Sequence, residues 1–91
     1  MKKEINELDL PAEFKKLSAQ ECESLLNWIR ARFVVAKTVY RTSSYGLKHQ
    51  FEEAPDGFYV TNGAFKGAMI AAGFRPTDDG RNSLYRIKAA T

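Results

Sequence analysis

The run "YVTNGAFKGAMIAAGFRP", Tyr59 to Pro76, marks both ends of one short helix. Thr61 or Asn62 offers a side-chain oxygen to the amides of the first turn. Gly73 suits the left-handed residue that ends many helices, and Phe74 the apolar contact that follows it. Pro76 bars any continuation. Inside these limits Phe65, Met69 and Ala72 recur as a buried stripe, with Ala68 beside them. Gly63 and Gly67 interrupt the helix, each costing roughly 1 kcal/mol relative to alanine. Either another body approaches this helix closely, or its well-defined ends offset a weak interior. For the first case, contact with a ligand and packing on another helix are equally open.

The rest of the chain is read around that helix. Ninety-one residues, 44% of them hydrophobic and 27% charged, suit one domain with a modest core. Residues 1–10 read as a loose lead-in, and Pro11 suits the first position of a short helix, "PAEFKKL". The main domain is expected over residues 18–91, after this lead-in of residues 1–17. "SAQE" is a capping box, with Ser18 and Glu21 exchanging hydrogen bonds. Cys22, Leu25, Leu26, Ile29 and Phe33 then follow at helical spacing, so a helix is predicted from Ser18 to about Phe33. Trp28 is assigned to the core. A short strand is expected around Lys37 to Tyr40, or the first helix runs on through Val35.

"TSSYGLKHQFEE" predicts a second helix capped by Ser43 or Ser44, with Leu47 and Phe51 on one face. "APDG" is a turn in which Gly57 is expected at positive φ, followed by an extended stretch, Phe58 to Val60. "DDGRN" is a loop centred on Gly80. In "SLYRIK" alternation points Tyr85 and Ile87 inward and Arg86 outward, with the residues around Arg75 as the partner strand of a hairpin. The predicted fold class is α+β: three main helices packed with a small antiparallel hairpin.

Charge is unevenly spread. Residues 1–23 hold six acids and four bases; residues 24–91 hold five acids and ten bases, giving +3 overall. A mixed solvated surface and a polyanion partner both fit that balance. Chemistry of its own is not expected. His49 is the single histidine and Cys22 the single cysteine, too few for a metal site or a disulfide. Cys22 on an apolar stripe reads as an inert thiol. Glu52, Glu53 and Asp56 read as solvated, and no phosphate-binding loop or dinucleotide fingerprint occurs. No cofactor, membrane or small-molecule substrate is expected. No membrane span or apolar leader occurs, and a lone cysteine suits a reducing, cytoplasmic setting.

The order helix, short strand, helix, turn, helix, hairpin resembles a winged helix, over roughly Thr42 to Lys88. "VTNGAFKGAMIAAGFRPTDDGRNSLYRIK" resembles the terminal winged-helix segments of phage-type primase–helicases. More loosely, the chain is similar to small accessory proteins of phages and mobile elements. The resemblance implies a nucleic-acid-binding module, for duplex DNA before RNA, that presents its third helix. Thr61, Asn62, Lys66 and Ile70 would then face outward, Asn62 toward a base edge and Lys66 toward a phosphate. Arg81, Asn82 and Arg86 would act from the wing, with Arg75 at its base.

Each assignment has a plainer counterpart. Asn62 is more often a cap, the basic side chains are ordinary solvated charges, and Tyr45 and Tyr59 form a half-buried rim more often than a base-stacking platform. The same fold also serves protein interaction, as in a phage-encoded inhibitor of a host defence or replication complex. A homodimer through exposed Ile70, Val34 or Val35 is the third expectation.

Overall fold

The computed structural model describes residues 7–77 and 81–90. Its elements are α1 (Ala19–Arg32), β1 (Phe33–Val35), α2 (Ser44–Glu53), α3 (Asn62–Ala71) and β2 (Ile87–Ala89). Two 3₁₀ segments precede them, Glu7–Asp9 and Pro11–Lys16. The fold is α+β with a winged-helix-like order.

Local chemistry sets the helix ends. At α1 the Ser18 amide donates to Glu21 Oε1 (2.9 Å) and the Glu21 amide to Ser18 Oγ (3.1 Å), the reciprocal pair of a capping box. At α3 the Thr61 hydroxyl accepts from the Ala64 amide (3.0 Å). Its other end is a Schellman cap: Phe74 N–H reaches Met69 O (2.8 Å) and Gly73 N–H reaches Ile70 O (2.9 Å), with Gly73 at φ 101°. Phe74 is buried, as the accompanying contact requires.

The strand after α1 falls earlier than expected. α1 ends at Arg32, and Phe33 is already extended (φ −132°, ψ 148°). The β-branched pair Val34–Val35 continues the strand, while residues 37–40 cross as a loop tied by Tyr40 N–H to Tyr85 O (2.8 Å). β1 and β2 pair antiparallel, Val34 opposite Lys88 and Val35 opposite Ile87. Among the described residues the expected hairpin is reduced to one bridge, Pro76 with Tyr85, beside a bond from Thr77 N–H to Leu84 O (2.8 Å). Gly80 lies outside the described residues. Gly57 does not take a positive φ; a Cβ there would strike the carbonyl of Phe51, so close backbone approach explains it.

The core joins Leu25 and Ile29 of α1, Leu47 and Phe51 of α2, Phe65 and Met69 of α3, and Tyr85 and Ile87 of the last segment. Trp28 packs edge-on against Phe33, Phe51 and Phe65, with centroids 5.5 to 6.3 Å away.

The described part of the lead-in is not loose. Pro11–Lys16 packs along α3 more extensively than any other element does. The glycines of α3 make this possible. A Cβ on Gly63 would overlap the backbone of Leu10, and one on Gly67 would overlap Pro11 O and lie 2.5 Å from Phe14 Cβ. Close approach is therefore the reason for both glycines, and the approaching body is the protein's own N-terminal segment, not α1 or α2. We expect Gly63→Ala and Gly67→Ala each to lose about 1–3 kcal/mol despite their better helix propensity, because overpacking outweighs it. Urea denaturation followed by circular dichroism checks this, and a gain in stability would contradict the packing.

Candidate functional site

The side chains at the start of α3 hold the molecule together rather than face outward. Asn62 is 6% exposed. Its Oδ1 accepts from Ser44 Oγ (2.9 Å), and its amide nitrogen contacts Asp9 Oδ1 (3.0 Å), Arg81 O (2.9 Å) and Asn82 Oδ1 (3.1 Å). Lys66, 8% exposed, donates to Asp9 O (2.8 Å) and Arg81 O (2.9 Å). Arg81 Nε closes the ring on Asp9 Oδ2 (3.1 Å). Ser44 donates its amide to Ser83 O (2.7 Å) and accepts from the Ser83 amide (3.0 Å). The lead-in, α2, α3 and the wing thus meet in one polar clasp.

This corrects the expected presentation of the third helix. Residues 62–69 are all buried, and of the four side chains expected outward Ile70 is exposed and Thr61 half-buried. A base edge or phosphate cannot reach Asn62 or Lys66 while the lead-in covers them. The physical reason is the glycine face: it admits a backbone, and the chain's own backbone occupies it.

Beside the clasp lies a groove of about 570 Å³, lined in part by Tyr45, Lys48, Tyr59, Thr61, Arg81 and Asn82. Four of the seven expected site residues, Thr61, Asn62, Arg81 and Asn82, therefore line one feature, with Lys66 bonded beneath it to the Arg81 carbonyl. Tyr45 and Tyr59 are 51% and 72% exposed, more open than a half-buried rim. Between them Lys48 Nζ sits 5.6 Å from the Tyr45 centroid and 5.1 Å from that of Tyr59. Lys48 is itself buried and bonded to Glu52 Oε2 (2.9 Å).

Glu52 is an anchor, not the solvated carboxylate expected. It also accepts from the Val60 amide (3.0 Å), and His49 Nδ1 lies 3.2 Å from its other oxygen. Burial works to raise its pKa, but the bonds from Lys48 and Val60 outweigh that and leave it below the ordinary carboxylate value. Lys48 went unnoticed in the sequence, although Lys48–Glu52 and Tyr45–His49 both stand four apart on one helix.

The other two expected residues lie elsewhere. Arg86 and Lys88 alternate with buried Tyr85 and Ile87, so both occupy the outward face of the strand. The Pro76–Tyr85 bridge sets exposed Arg75 opposite Arg86 on that face. Arg86 Nη1 donates to the backbone carbonyl of Lys37 (3.1 Å). Residues 24–51 and 81–91 contain no Asp or Glu at all. Among the described residues none of Lys37, Arg75, Arg86 and Lys88 forms an ion pair. The expected cations thus divide between a clasp, where they are satisfied, and a sheet face, where their charge is open to solvent.

Cys22 Sγ points at the carbonyls of Phe14 (3.8 Å) and Leu17 (3.9 Å), while His49 packs edge-on to Tyr45 (4.5 Å). Among the described residues no group of three or more His, Cys, Asp or Glu is placed to hold a metal, and no helix is long and apolar enough to cross a membrane. Comparison with protein families, curated proteins and solved structures returned no match.

Two outcomes follow. Lys66→Met removes the ammonium's bonds to the Asp9 and Arg81 carbonyls, the second of which keeps its bond from Asn62, costing about 1–3 kcal/mol; limited proteolysis should then cut within residues 7–17 before anywhere else, and unchanged protection would refute the clasp. Because the Glu52 pKa is lowered by folding, its contribution is present above the ordinary glutamate value and lost as pH falls through the depressed one. Stability measured from neutral pH down into the acid range should therefore decline less steeply in Glu52→Gln than in wild type.

Proposed function

We propose that this protein is a nucleic-acid-binding module of the accessory or regulatory kind, with no catalytic step of its own. It engages the phosphate backbone through the outward face of its small sheet and not through α3. The observation that carries the reading is the outward face of the small sheet, where exposed Arg86 and Lys88 stand with Arg75 opposite Arg86 and, among the described residues, none of the three forms an ion pair. Phosphate neutralisation by such side chains releases counterions, so the logarithm of the affinity falls linearly with the logarithm of salt, by a slope of about 0.9 per phosphate on duplex DNA. A guanidinium fork suits phosphate better than an ammonium does, which assigns Arg75 and Arg86 the leading part. On the wing side of a winged-helix-like order, backbone contact needs no exposed recognition helix.

Fluorescence anisotropy with labelled duplex DNA, single-stranded DNA and RNA tests the reading. Binding at low salt should weaken steeply as salt rises, and Arg75→Glu with Arg86→Glu should reduce affinity at least tenfold. Lys15→Glu with Arg30→Glu makes the same change in net charge at exposed positions of the Pro11–Lys16 segment and α1 and should shift it about twofold or less. Absence of binding to all three polymers at low salt would sink the proposal, as would equal losses in the two double variants.

A further inference from the structure

We infer that the groove lined by Tyr45 and Tyr59 is a second site, which accepts an unpaired nucleobase; the inference rests on the nucleic-acid reading above and extends it to single-stranded segments. Four observations point there. First, the two rings are exposed where the remaining tyrosines are not: Tyr85 is 1% exposed and Tyr40 is packed against the core. Second, the rings are held in place before any ligand arrives. Both lie about 5 to 6 Å from one buried ammonium, Lys48, which Glu52 holds, and the Val60 amide one residue from Tyr59 binds the same carboxylate oxygen. Fixed rings lose little freedom on stacking, so more of the contact energy appears as affinity.

Third, the groove is balanced in charge. Lys48 pairs with Glu52 and Arg81 with Asp9, so the cations that line it are already answered by carboxylates. A backbone phosphate gains little there, whereas a neutral planar group loses nothing. Fourth, Thr61 and Asn82 beside the rings offer a hydroxyl and an amide to the edge of a base. The volume, about 570 Å³, lies in the range of ordinary ligand clefts.

Division of labour follows: phosphates on the sheet face, a base against an exposed tyrosine ring. The protein should therefore prefer a duplex carrying a single-stranded overhang to the same duplex with blunt ends. Base–aromatic stacking is worth about 1–3 kcal/mol per base, so Tyr45→Ala and Tyr59→Ala should each weaken overhang binding by about tenfold. Neither should move blunt-duplex affinity by more than about twofold. Both side chains are exposed, so both variants keep the core.

A second measurement does not depend on the sheet face. Free adenosine and cytidine, titrated against the protein, should shift the ring-proton resonances of Tyr45 and Tyr59 and leave those of Tyr85 in place. Equal affinity for blunt and overhung duplex, with nucleosides that leave both tyrosines unmoved, overturns the inference and leaves the sheet-face reading standing. Nucleosides that shift the tyrosines while no polymer binds would uphold the groove and remove the sheet-face reading. A proline-rich peptide or a neutral oligosaccharide that shifts both rings where nucleosides do not would reassign the groove and refute the base.

Discussion

The approach of the N-terminal backbone to the glycine face of α3 is the constraint on which the rest depends. Two helix positions without a Cβ let Leu10 and Pro11 lie directly on the helix. That contact carries Asp9 to the helix start, where its carbonyl meets Lys66 and its carboxylate meets Asn62 and Arg81. A conventional surface helix would have kept the lead-in several ångströms away, and none of those bonds would form. Each glycine weakens the helix by itself, but the buried contact it permits more than compensates.

The clasp determines what remains available for function. Polar groups buried in it must be satisfied, since an unpaired one costs about 1–3 kcal/mol. Asn62 and Lys66 satisfy theirs internally, which withdraws from solvent two of the side chains best suited to read a base edge or a phosphate. The open charge is left on the two-stranded sheet, where alternation turns Arg86 and Lys88 outward while Tyr85 and Ile87 complete the core. The open aromatic surface is left at Tyr45 and Tyr59, on the rim of the clasp. Both proposed binding surfaces are thus what the folding of the lead-in leaves exposed.

Local readings of the chain held where a few neighbouring residues decide the outcome. Ser18 with Glu21, Thr61 at the start of α3, and Gly73 with Phe74 at its end are all reproduced with their hydrogen bonds. Alternation at Tyr85, Arg86 and Ile87 is reproduced as well. Readings failed where the deciding partner lay far along the chain. Asn62 looks like a cap or a base reader in its own neighbourhood, yet its partners are Asp9, Ser44, Arg81 and Asn82. Glu52 looks solvated beside Glu53 and Asp56, yet the Val60 amide returns to it across a turn. The position of β1 followed from pairing with residues 87–89, which no local propensity near Lys37 registers.

The sequence by itself determined where α1 and α3 begin, where α3 ends, which class of fold the elements compose, and that the later part of the chain is cationic. Those properties rest on capping bonds, periodicity and composition, all expressed within a turn or two of chain. Only the tertiary structure decided which face of α3 is covered, which cations are consumed internally and which tyrosines stay open. The reason is that a glycine signals only that a backbone can come close, while the identity of that backbone depends on contacts more than fifty residues apart, such as Lys66 with Asp9.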